Sequence, residues 1–252
     1  AAAQVAARAL AQKGFSTLLP GWFWQREKKE GWKISEDGAL CVSTLPGSIW
    51  GDFGRECPAF NTLLWPLKDC SADDGLVLET SVSLRPESHG EQAGLLLHVD
   101  DANWVKLVVE GMRDGSQALV FAQSTNGAPQ VVAKLPYNPK EDDDPVSLRL
   151  EVRKDGVTGM LSRSFGQQLV GKSPAVSEGW TSACLGLMAH GGAEGSANSA
   201  TFISATVEEL EARRVDMGED AAALTARALA LGTTMMAEQE QQQPQEEDQH
   251  AQ

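Results

Sequence analysis

The residues best placed to do chemistry lie in Gln92-Ala-Gly-Leu-Leu-Leu-His98-Val-Asp100-Asp-Ala-Asn103-Trp104-Val-Lys106-Leu-Val-Val-Glu110. An indole, an imidazole, an ammonium, two amides and three carboxylates fall there in two strand-like runs that must turn at Asp100–Asn103. Directly paired residues of a hairpin lie on the same side of a sheet, so the parity of the turn decides which side chains share a face. A three-residue loop pairs Asp100 with Trp104 and His98 with Lys106. Gln92, His98, Asp100, Trp104, Lys106 and Glu110 then line one face, and Leu95, Leu97, Val99, Val105, Leu107 and Val109 the other. A four-residue loop would set Lys106 against Leu97 and push charge into the core face, which costs more. A face of this composition can stack on and hydrogen-bond a sugar or another small polar ligand. The same residues also read as a solvated ion pair beside a tryptophan that covers its methylene neighbours, and both readings stand at this level.

Other chemistries find less support. Glycoside hydrolysis needs two carboxyl groups about 5 to 9 Å apart across a cleft. Glu110, Asp100 and Asp52 can be recruited for it, but nothing in their spacing compels it, and no catalytic residue is assigned. Gly166-Gln-Gln-Leu-Val-Gly171-Lys172-Ser173 matches the letters of a phosphate-binding loop. That loop requires a following helix to hold the phosphates, and Pro174 with Ser177-Glu178-Gly179 breaks one, so a polar loop between antiparallel strands is expected. Cys41, Cys57, Cys70 and Cys184 show no C-x-x-C spacing and no nearby histidine; buried thiols are expected, with no metal site and no cofactor. Five of the seven tryptophans, Trp22, Trp24, Trp32, Trp50 and Trp65, fall close together; such a cluster can form a sugar platform, but the core of a sandwich is expected for most of them, with Trp104 the exception on a polar face.

Between Gly14 and Val207 the chain reads as short runs of period-two alternation separated by glycine, proline, aspartate and asparagine. Leu76, Leu78, Thr80, Val82 and Leu84 form one such series, and Leu148, Leu150 and Val152 another. Asp155-Gly156 supplies a tight hairpin turn between residues 146–154 and 157–163. Further strands are expected near residues 40–43, 62–65, 92–100, 104–112, 117–124, 130–135, 184–190 and 200–208. About a dozen strands at this spacing predict an all-β fold, a two-sheet antiparallel sandwich or jelly roll.

The ends differ from this body. Residues 1–13 and 208–236 are alanine-rich and predict short terminal helices, the second one centred on Glu219–Leu231 and stopped by Gly232. Residues 237–252 are rich in Gln and Glu with no apolar residue larger than alanine, the composition of a disordered tail. Of the net charge of −14, −8 belongs to residues 208–252, so the body is only mildly acidic. Nucleic acid is excluded as a partner by the absence of a basic stripe, and no run of 18 apolar residues suggests a membrane span. The acid-poor, arginine-bearing start also fits the remnant of an organelle transit peptide, chloroplast or mitochondrial. None of the five asparagines sits in an N-x-Ser/Thr context, which favours an intracellular, cytoplasmic setting.

Gln92-Ala-Gly-Leu, Asn103-Trp104-Val-Lys106 with Glu110, the earlier Asp52-Phe53 and the later Gly186-Leu-Met-Ala make residues 20 to 207 resemble a family of concanavalin A-like domains known as "regulation of enolase protein 1". The resemblance implies a two-sheet jelly roll of the kind appended to some glycosidases, with a concave face as the ligand site and no catalytic residues. Gly54 stands where that family usually has an aromatic, which removes one stacking position. Two functions are therefore expected. One is a non-catalytic binding module for a carbohydrate or small polar ligand on the concave face. The other is an interaction or regulatory subunit whose terminal helices, too short to be stable alone, dock on a protein partner.

Overall fold

The computed structural model describes residues 10–13, 15, 21–67, 75–139, 144–164, 166–174 and 183–209. The chain divides into a unit Ala1–Ala212 and a unit Arg213–Gln252, and the second lies outside the described residues. So do the expected helix at 219–231 and the tail at 237–252.

Among the described residues, fifteen strands run in chain order as β1 (Leu10–Lys13), β2 (Phe23–Gln25), β3 (Trp32–Ile34), β4 (Leu40–Ser43), β5 (Thr62–Pro66), β6 (Leu76–Ser83), β7 (Gln92–Asp100), β8 (Asn103–Gly111), β9 (Gln117–Thr125), β10 (Ala128–Tyr137), β11 (Val146–Arg153), β12 (Gly156–Arg163), β13 (Gly166–Pro174), β14 (Cys184–His190) and β15 (Ser199–Glu209). The one α-helix among the described residues is α1 (Gly51–Glu56). Two antiparallel sheets result. The first is ordered β13-β12-β11-β6-β15-β4-β3, with β1 also pairing β15; the second is β10-β9-β8-β7-β14-β5-β2. This is the all-β sandwich that the alternation predicts.

The start of the chain departs from expectation. Residues 10–13, read as helix from their alanine content, form β1 and pair with β15, Leu10 opposite Val207 and Lys13 opposite Ser204. An open sheet edge satisfies the backbone groups of a short segment more cheaply than an isolated helical turn does. Residues 1–9 lie outside the described set.

The core between the sheets follows the period-two series. Leu76, Leu78, Thr80 and Val82 of β6 lie opposite Val152, Leu150, Leu148 and Val146 of β11, and these eight are buried against Leu95, Leu97, Leu107 and Phe121 of the other sheet. Thr80 keeps its place there because its hydroxyl donates to the Ser204 carbonyl, 2.6 Å away, where β15 bulges.

The phosphate-loop letters turn out to be packing. Residues 166–174 are not a loop but strand β13, antiparallel to β12. A Cβ on Gly171 would come 2.6 Å from the Phe121 ring, and one on Gly159 equally close, so both glycines exist to admit that ring between the sheets. Lys172 pairs with Asp155 at 3.4 Å, and the Ser173 hydroxyl donates to Gln123 of the facing sheet. The residues that follow Pro174, 175–182, lie outside the described set. The hairpin before β13 also shifts by one residue: Arg153 pairs with Gly156, so its turn is Lys154-Asp155.

Candidate functional site

The central hairpin of the second sheet forms with a two-residue turn, Asp101-Ala102, rather than three. A bulge at Val99 absorbs the difference, so Asp100 pairs with Asn103 while His98 pairs with Trp104, Leu96 with Lys106 and Gln92 with Glu110. The expected register was two residues out, yet its parity was right. Gln92, His98, Trp104, Lys106 and Glu110 share the outer face, away from the core holding Leu95, Leu97, Val105, Leu107 and Val109.

That outer face is not an open groove. Leu64, Leu96, Trp104, Val108, Val120, Ala122 and Met188 on it form a second apolar cluster under Ile49 and Trp50, carried by the segment that contains α1. Trp104 is 1% exposed, its ring centroid 5.9 Å from that of Trp50. The tryptophans keep the faces expected of them, but not the exposure. Trp104 is buried, whereas Trp22, Trp24, Trp32 and Trp65 pack half-buried at the rim of the main core.

The covering segment is tied down at several points. A backbone bridge joins Ser48 to Pro58. Gly47, at φ 140°, carries no side chain because a Cβ would meet the Pro58 oxygen at 2.5 Å. The buried His190 ring holds the Gly47 carbonyl from Nδ1 at 3.1 Å. Burial, reinforced by the nearby Lys106 cation and only partly offset by the Gly47 bond, pushes His190 down to about 3, so the ring is neutral. With Nδ1–H donating, Nε2 is a bare acceptor, and no group among the described residues bonds it.

Beneath Trp50 the face opens at one end into a cavity of about 510 Å³, within the usual range for small-molecule sites. Gln92, Lys106 and Glu110 line it with Trp50, His89 and Arg113. Lys106 is only 2% exposed and donates to Gln92 Oε1 and, at 3.0 Å, to Glu110 Oε2. Its Nζ lies 5.5 Å from the centre of the Trp50 ring. Burial pulls its pKa below the ordinary lysine value, while the charge and hydrogen bond of Glu110 oppose the shift. Two of the three ammonium donors are used by Gln92 and Glu110, which leaves one for a bound molecule. Gln92 is fixed by its own Nε2–H donating to the Gly90 carbonyl at 2.9 Å.

The structure thus splits the expected site residues. Gln92, Lys106 and Glu110 meet in the cavity, and Trp104 lies buried beside it as a support for Trp50. His98 and Asp100 lie toward the turn end of the hairpin, about 7 and 13 Å along the strands from Lys106. There Asp100 caps its own turn, accepting from the Ala102 and Asn103 amides at 2.8 Å each. His98 sits 3.6 Å from Asp101, which also pairs with Arg26. Burial holds His98 below the ordinary histidine value against the pull of Asp101. Asp100 and Glu110, at opposite ends of their strands, are too far apart for a glycosidase pair. The side chain of Asp52 lies outside the described residues.

His89, Arg113 and His190 were not singled out from the sequence, and Trp50 was read there only as one of the clustered tryptophans. The cover over this face did have a signal, in the consecutive apolar runs Leu95-Leu96-Leu97, Leu107-Val108-Val109 and Ala118-Leu-Val-Phe-Ala122, since a strand apolar on both faces must be covered on both. Among the described residues no group of three or more His, Cys, Asp or Glu could hold a metal ion, and no helix is long and apolar enough to cross a membrane. Cys41, Cys57 and Cys184 are half-buried thiols, less enclosed than expected; Cys70 lies outside the described residues.

The model of the Beta xylosidase C-terminal Concanavalin A-like domain matches residues 14–208. Among solved structures, the GH43 BlXynB protein from Bacillus licheniformis aligns with TM-score 0.64 and 17% identity, over 77% of this chain and 37% of that one. The xylan beta-1,4-xylosidase from Bacillus halodurans C-125 aligns with TM-score 0.61 and 16% identity, again over 77% and 37%. A functionally unknown protein from Saccharomyces cerevisiae aligns with TM-score 0.52 and 18% identity, over 75% of this chain and 94% of its own. No curated protein matches the chain. At these identities the likeness establishes the fold, and the chain spans little more than a third of the two bacterial proteins. The concanavalin A-like part of the sequence resemblance holds, under a different family name from the one the motifs suggested.

Proposed function

The chain belongs to the family of beta xylosidase C-terminal concanavalin A-like domains, and from that premise we propose that it is a non-catalytic module holding a carbohydrate in the cavity of Gln92, Lys106 and Glu110. The observation that carries this reading is the buried ammonium of Lys106, fixed by Gln92 and Glu110 beneath the Trp50 ring with one donor left over. Burying a lysine is costly, and a scaffold gains nothing from placing it at the floor of a cavity. An aromatic ring beside fixed donors and acceptors is what a sugar needs, its apolar face on the ring and its hydroxyls on the polar groups. The two bacterial neighbours are a GH43 protein and a xylan beta-1,4-xylosidase, so xylo-oligosaccharides are the first ligands to try. Calorimetric titration of the full chain with xylohexaose and a panel of plant-type oligosaccharides is expected to give binding that Lys106→Met and Trp50→Ala both abolish. Failure of every glycan to bind removes the reading.

A second reading, an interaction module, draws on a different observation. Val131 and Val132 of β10 and Leu169 of β13, the last 63% exposed, put apolar side chains on the outermost strands of the two sheets. A protein partner would then dock on these edges rather than through terminal helices. Loss of a co-purifying partner on Leu169→Lys, with the glycan titrations blank, would favour it.

A further inference from the structure

The cations around the cavity outnumber the carboxylates free to balance them. Glu110 is committed to Lys106. Glu91 is fully buried and takes the Thr44 hydroxyl, the Asn198 amide and the Glu87 and Ser88 backbone N–H groups. Asp114 takes the hydroxyl and backbone N–H of Ser116. Arg113 and Lys134 have no carboxylate partner among the described residues: Lys134 Nζ contacts Met112 Sδ at 3.9 Å, and Arg113 donates from Nε to His89 Nε2 at 3.3 Å.

The Arg113 contact is built rather than incidental. His89 meets the Gly111 carbonyl through Nδ1 at 3.2 Å. With a proton on Nδ1, Nε2 is left as the acceptor that Arg113 Nε uses. The loop carrying His89 is in turn pinned by Glu91. Engaging Nε fixes the plane of the guanidinium and leaves its two terminal nitrogens, a fork whose geometry matches a carboxylate. This fork lines the same cavity as Lys106.

Resting on the carbohydrate reading of this cavity, we propose that its ligand is an acidic glycan, a sugar chain bearing a uronic acid whose carboxylate sits on the Arg113 fork while neighbouring hydroxyls engage Lys106 and Gln92. Neutral sugars use the second contact alone. An acidic sugar uses both, and the unbalanced charge of Arg113 and Lys134 draws it in.

The test is a pair of calorimetric titrations of the full chain, one with a xylo-oligosaccharide and one with the same oligosaccharide carrying a single glucuronic acid branch. The acidic ligand is expected to bind about tenfold more tightly, the effect of one hydrogen-bonded charge pair. Arg113→Gln, on an exposed residue that the fold does not need, brings the ratio to within about twofold, and so does half-molar salt. Lys172→Gln, on the other sheet, leaves the ratio unchanged. Equal affinity for the two ligands, or a ratio that survives Arg113→Gln, overturns acidic selection while leaving carbohydrate binding in place. Absence of binding by both overturns the carbohydrate reading itself, and acidic selection with it.

Discussion

The outer faces of the two sheets carry charged residues at alternating positions, yet one is partly open to water and the other is covered. On the first sheet, Arg149 of β11 bridges Glu79 and Glu151, both at 2.8 Å, on strands whose residues alternate buried and half-exposed. On the second, Lys106 occupies the equivalent alternate position and is enclosed beneath Trp50. The two ion pairs look alike in sequence and differ in solvent, and solvent decides what each contributes. A charge exposed to water on one side can be lost cheaply, whereas a charge covered on both sides is costly to keep and has to be explained by a ligand or by its neighbours.

Substitutions at the two sites put this difference to direct measurement. Lys106→Met leaves Glu110 and Gln92 partly buried without their donor and is expected to lower unfolding stability by about 3 kcal/mol. Arg149→Met, matched in kind, is expected to cost about 1 kcal/mol or less. Urea denaturation of the two variants checks the ordering, and equal losses would mean that the two faces are solvated alike.

Acid should distinguish the faces nearly as strongly. Unfolded His190 takes a proton near the ordinary value of 6.5, and folded His190 only near 3. The unfolded chain therefore binds more protons throughout that interval. The stability that the neutral ring provides is complete above 6.5 and falls with pH toward 3, by on the order of 3 kcal/mol at pH 4. His98, also held low by burial, acts in the same direction. Denaturation midpoints across pH 7 to 4 should fall steeply, and His190→Asn should flatten the fall; an unchanged slope in that variant would place the acid sensitivity elsewhere.

Removing the cover is the milder perturbation. Trp50→Ala is expected to cost about 2 kcal/mol, less than a fully enclosed tryptophan would, and to open Trp104 to acrylamide quenching. If quenching does not rise, the segment around α1 is held by its glycine and proline contacts and not by the indole.

The first sheet was legible in the sequence because one of its faces meets water, and the alternation of Leu76, Leu78, Val82, Leu148 and Leu150 states which one. The second sheet was half legible. Parity put Gln92, Lys106 and Glu110 together correctly, because charge in the main core would be too costly in any register. The bulge at Val99 has no sequence signature and moved Asp100 from the face to a turn cap. The exposure expected of Trp104 failed for a different reason: period-two reasoning treats the face opposite the core as solvent. Leu96 and Val108, apolar on that same face, already marked it as covered. Arg113 and His89 lie on turns outside the strands, where no periodicity speaks, and only the fold brings them to Lys106.

The most direct measurement is an NMR titration of the isotope-labelled chain with xylohexaose and its glucuronic acid-branched form. The expected result is shifts concentrated on the Trp50 indole N–H, the Gln92 side-chain amide and the backbone of Gly191 and Gly192, with Arg113 joining only for the acidic ligand. Shifts centred on His98 and Asp101 at the other end of the sheet, or no shifts at millimolar glycan, would contradict the account.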